Sequence, residues 1–230
     1  MKFKIIGVVV LAIFANSCAV KSDKLQAMVS SRINETSEQN SFVKNITVNF
    51  NKDISIVTQC SQDKSSFVPA FFYWGWNSEV ICEFSKETLE NEFQRDIVNQ
   101  IEQNDFKKYF EDKKIILNID ELPTKFKFQD KGDVVYLVVA YMMSQKRNFI
   151  PEVKEFKGAY EVLDMNDKIV FGGSFSQKHA LKAQANNYKS TKKLSWQYIE
   201  SYNNELNRLV AVVFNDIKIK VDSIKVTSIQ

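Results

Sequence analysis

The chain has 230 residues, with 31 Lys and Arg against 28 Asp and Glu and a single histidine. Hydrophobic residues make up 44% and aromatics 13%, while Gly and Pro number only 6 and 3, which excludes fibrous, low-complexity and disordered classes. Near-balanced charge gives no argument for nucleic acid, one histidine excludes a histidine-rich metal site, and the length suits one domain with a sizeable core.

At the start, Lys2 and Lys4 precede an unbroken apolar run, Ile5 to Phe14. Ten residues are too few to cross a bilayer, which takes about 20, and the pattern reads as a secretory signal peptide over 1–17. The closing Ala15-Asn16-Ser17-Cys18 resembles the lipobox of bacterial lipoproteins. There the bond before the cysteine is cut and the thiol is acylated. The resemblance implies a mature chain that begins at Cys18 and is held by lipid at the outer membrane, facing the periplasm or the surface. Ala15 departs from the usual Leu or β-branched residue at its position.

Loss of Lys2 and Lys4 from the 31 basic residues leaves 29 against 28 acids, so the apparent basicity belongs largely to the signal. Acylation of Cys18 leaves Cys60 and Cys82 as an even pair in an oxidising compartment, which reads as a disulfide. Closing that loop of about 22 residues is worth about 3 kcal/mol in the chain-entropy picture. The alternative is two buried free thiols.

Residues 18–41 are mostly polar and read as a lipidated flexible tether, with at most a helical turn near Leu25–Val29. Order is expected from Phe42, giving one globular domain over 42–230. Ile46, Val48 and Phe50 alternate with polar residues as a half-buried strand, and Ile54–Val57 reads as a second that ends near Cys60. Residues 67–76 (FVPAFFYWGW) lack a clear period, and Pro69 and Gly75 argue for a loop. That loop is either a plug over the core or a contact surface built from Phe71, Phe72, Tyr73, Trp74 and Trp76, since Trp and Tyr suit half-wet sites.

Ser85 stands where a helix N-cap belongs, with Phe84 and Leu89 spaced as a hydrophobic staple. Leu89, Phe93, Ile97 and Ile101 make one apolar stripe, leaving Glu87, Glu90, Glu92, Arg95 and Asp96 as a solvated face. Ile115–Ile119 and Lys125–Phe128 read as strands, and 130–133 as a turn. Residues 134–143 (VVYLVVAYMM) read as a central strand buried on both faces, and 144–152 as a loop. Lys157–Leu163 and Lys168–Phe175 flank a turn as a β-hairpin, with Gly172 and Gly173 marking a bulge or close approach. Residues 176–193 read as a basic loop that carries His179. Trp196 to Val213 fits a second amphipathic helix, and Ile217 to Val226 a last edge strand.

This order predicts an α+β fold: an antiparallel or mixed sheet of about five to seven strands with two amphipathic helices on one face. Leu89–Ile101, the hairpin 160–176 and Trp196–Val213 together resemble, in element order, auxiliary lipoproteins of envelope transport and the lipopolysaccharide-assembly lipoprotein. That resemblance implies a non-catalytic accessory or binding module for an envelope protein or lipid, with no cofactor and no metal. Catalysis finds little support, because His179 has no Gly-x-Ser-x-Gly partner and the cysteines are consumed by export chemistry. A carboxylate hydrolase of envelope glycans and a surface adhesin remain as alternatives.

Overall fold

A computed structural model describes residues 20–36, 45–70, 72–136, 140–186 and 190–227. Cys18 and the expected start of order at Phe42 lie outside the described residues. The elements are α1 (Ser22–Thr36), β1 (Ile46–Phe50), β2 (Gln59–Ala70), β3 (Tyr73–Glu83), α2 (Lys86–Gln103) and α3 (Lys107–Phe110). They continue with β4 (Lys114–Glu121), β5 (Lys125–Tyr136), β6 (Tyr141–Pro151), β7 (Glu155–Leu163), β8 (Ile169–Lys178), β9 (Gln184–Asn186) and α4 (Thr191–Thr227).

The fold is α+β, as the pattern predicts, and its strands divide into two sheets, ordered β1-β4-β7-β8 and β2-β3-β5-β6-β9. β1 pairs with β4 in parallel, and the remaining pairs are antiparallel. Ser85 caps α2, its side chain accepting from the Thr88 backbone N–H, and Leu89, Phe93, Ile97 and Ile101 are buried. Two members of the expected solvated face are buried as well. Glu92 and Asp96 turn inward, where Arg95 binds both and Asn207 of α4 donates to Asp96 at 3.2 Å. Burial pushes the Asp96 carboxyl above the usual range, against the hydrogen bond from Asn207.

Helix α4 holds the two sheets together. Its first half carries Tyr198, whose ring lies 4.8 Å from Phe126 and 5.3 Å from Phe149 in the five-stranded sheet. Its second half carries Val210, Val213, Phe214 and Ile217, which share an apolar contact zone with Ile115 and Leu117 of the four-stranded sheet. At 1.5 Å per residue, 37 residues give a rod of about 55 Å. The edge strand expected over Ile217–Val226 is instead the end of this rod. Val213, Ile217 and Val221 are four apart and buried, so the helical period wins over the partial alternation with lysines.

The tether expected before residue 41 is, over 22–36, helix α1. Leu25 and Val29, four apart, are fully buried, and the Gln26 side chain accepts from the Cys60 N–H at 3.1 Å. The Trp196 indole N–H donates to the Met28 carbonyl at 3.3 Å. The strand expected at Ile54–Val57 is irregular, with Ile56 and Val57 exposed. The β7–β8 hairpin forms as expected, its register shift falling at Val162/Leu163 rather than at the glycines. Gly172 and Gly173 allow a close approach, since Lys220 of α4 donates to the Gly172 carbonyl at 2.7 Å and to the Tyr160 hydroxyl at 2.9 Å.

Candidate functional site

Two antiparallel hairpins, β2–β3 and β5–β6, lie side by side through the β3–β5 pairing. Near their base the core face is apolar, with Val80, Cys82, Phe126, Phe128 and Phe149 buried. Cys60 and Cys82 stand directly opposite each other here and form the disulfide.

One row further out the core ends in polar groups. Ser78 pairs with Asp130, which is fully buried. Asp130 Oδ1 accepts from Trp76 Nε1 at 3.3 Å and from Gln145 Nε2 at 2.9 Å, and Oδ2 lies 3.8 Å from Arg147 Nε. The Trp76 ring covers Gly132, where an added Cβ would stand 2.2 Å from it and 2.6 Å from the Ser144 carbonyl oxygen. Only glycine leaves room for this neck. Gly132→Ala is expected to cost about 1–3 kcal/mol by displacing the indole, read as a lowered thermal midpoint.

Beyond the neck the sheet turns apolar again, with no helix of the described chain over it. Directly opposite residues share a face, so Trp74, Val134 and Met143 form one row and Tyr136 and Tyr141 the next. Trp74 packs edge-on against Tyr136 at 4.5 Å, and Tyr136 lies 6.1 Å from Tyr141. The opposite face carries Val68, Tyr73, Val135 and Met142. A bond from the Tyr136 N–H to the Phe72 carbonyl, 2.8 Å, ties the two tips together. Exposure is high for such side chains: Phe72 53%, Tyr141 68%, Met142 61% and Met143 54%.

These placements revise the sequence reading. Residues 67–70 and 73–76 are strand rather than a loop, and Pro69 pairs at the edge of the sheet, where a missing N–H is tolerated. Phe72 and Tyr73 are exposed, Trp74 is half-buried, Trp76 is buried in the neck, and Phe71 lies outside the described residues. Residues 130–133, expected as a turn, continue β5, and 144–151, expected as a loop, belong to β6. The supposed central strand 134–143 straddles the second tip, with Tyr136, Tyr141, Met142 and Met143 exposed. Those four residues were absent from the sequence-derived contact set. Their signal was the charge-free run 134–145, matched by another at 65–78.

Other chemistry-bearing groups are tied into the fold. Tyr160 donates to Asp216, and this bond with Lys220 beside it holds the Asp216 carboxyl below the usual range. His179 Nε2 lies 2.9 Å from the Glu152 carbonyl oxygen. An open cleft of about 380 Å³ includes Asp53, Glu83 and Asp120, but Asp120 accepts from Asn51 and Glu83 meets Thr124 and Lys125. Among the described residues no group of three or more His, Cys, Asp or Glu could hold a metal ion, and no helix is long and apolar enough to cross a membrane. Comparison with protein-family models, with curated proteins and with solved structures finds no match to any of them.

Proposed function

We propose that the chain is a non-catalytic lipoprotein of a bacterial cell envelope, acting as a binding or accessory module through the paired hairpin tips. One observation carries this reading: an apolar, charge-free apex stands outside the core and is exposed on both faces of its sheet. Soluble folds seldom display contiguous patches of this kind without a contact to make. The Ala15–Cys18 motif supports an anchor that keeps the apex near envelope components. A single acyl chain binds a membrane marginally and several bind stably, so the anchor would set location while the apex makes the contact.

The test is a comparison of the full chain with Tyr73→Ser and Tyr141→Ser variants in its native envelope. Photocrosslinking from the tips is expected to capture an envelope protein or lipid with the native chain and to lose it with the variants. Intact mass should show Cys18 acylated. Unchanged capture by the variants, or an unacylated chain, would remove this reading.

A further inference from the structure

Resting on the proposed contact role of the apex, we propose that its occupant is lipid: the two tips seat in the headgroup–acyl boundary of an anionic membrane. Three observations select this occupant.

The first is the distribution of charge. The runs 65–78 and 134–145 contain no ionisable acid or base apart from tyrosine hydroxyls. Behind them the exposed Lys131 and Lys146 are directly paired across β5 and β6, while Lys64 stands opposite Glu79, which also binds Lys127. Asp133 lies two residues nearer the tip on the same face as Lys131, and it is occupied by the Ser144 hydroxyl. Apolar tips backed by the Lys131–Lys146 pair complement an apolar boundary under anionic headgroups, which attract lysines near the surface.

The second is depth. From the Trp76–Gly132 row to the Tyr136–Tyr141 row is four residues, about 13 Å at 3.3 Å per residue. That reach is close to the 5–10 Å by which interfacial elements enter a bilayer, and far below its 30 Å core. The third is the composition of the tips. Tyrosine and tryptophan favour the water–hydrocarbon boundary, where the ring is covered and the polar atom stays wet.

The sheet edges limit how deep this seat can be. Among the described residues β2 has no partner on its outer side, and β6 is covered by β9 only at Arg147–Phe149. Open edges cannot enter hydrocarbon with their N–H and C=O groups unpaired, so the sheet stops at the interface.

The experiment uses the full chain reconstituted in vesicles of phosphatidylcholine, alone or mixed with phosphatidylglycerol, with lipids brominated near the headgroup or near the chain end. The difference in emission between the native chain and Trp74→Phe isolates Trp74. Trp74 is expected to lose most of its emission to the shallow bromines in the anionic mixture and little to the deep ones. Tyr141→Asp with Met142→Asp should abolish that quenching at an unchanged thermal midpoint, and Lys131→Glu with Lys146→Glu should reduce it only in the anionic vesicles. Unquenched Trp74 in both compositions overturns the lipid seat. If the tips then still crosslink to an envelope protein, the contact role survives with a protein occupant. If they crosslink only to a second copy, the apex is a self-association surface. If they crosslink to nothing, the contact role falls as well.

Discussion

Leu25→Ala is expected to lower the stability of the fold by about 2–5 kcal/mol, the range for deleting a buried leucine side chain. For a chain of this length each kcal/mol moves the thermal midpoint by about 2–4 °C, so a fall of about 4–20 °C should appear in a melting curve. The cause is position. Leu25 and Val29 lie one turn apart on a mostly polar helix, fully buried where α1 meets β2 and α4. Lys24, exposed on the same helix, is the control, and Lys24→Ala should stay within about 0.5 kcal/mol of the native value. If Leu25→Ala also stayed within that band, residues 22–36 would be the loose tether their composition suggests.

Replacing Cys60 and Cys82 together by alanine is expected to cost about 3 kcal/mol, the loop-closure entropy returned to the unfolded chain by 22 residues. Alanine is the suitable replacement because Cys82 is fully buried, where a serine hydroxyl would add a desolvation cost of its own. Guanidinium denaturation checks the value: the midpoint should fall, and the oxidised native protein treated with reductant while unfolded should match the variant. Equal midpoints for native and variant chains would mean that the bridge constrains nothing the strand pairing does not already hold.

The parts of the fold legible in the sequence were those fixed by local patterns. Helix α2 announced itself through Ser85 and a stripe of period four, and the β7–β8 hairpin through alternation around an Asp-rich turn. The Cys60–Cys82 disulfide forms as the sequence reading expects. The misread parts had signals that fit two answers. Val213, Ile217 and Val221 satisfy a helical repeat while their neighbours alternate well enough for a strand, and only packing against the four-stranded sheet decides. In α1, two buried residues among polar ones carry too little hydrophobicity to be found without their partners. The run 134–143 reads as interior because a strand apolar on both faces is normally covered on both faces. Among the described residues nothing covers it. Half of the candidate site was thus visible as aromatic residues at 71–76, and the other half was hidden by a rule that assumes the cover belongs to the same chain.

The charged neck has a consequence before any fold exists. In the nascent chain, residues 134–143 form a β-prone window without charge or proline, the composition that drives strands of different molecules together. Asp130, Lys131 and Asp133 precede it, and Lys146 and Arg147 follow it, in the positions where gatekeeper charges slow such stacking. Only Asp130 and Arg147 of this group join the buried cluster at the base of the tips. The remaining charges can be lost at little cost to the finished fold, and their loss should show instead as lower yield of folded protein, during the interval when the hairpins are not yet closed.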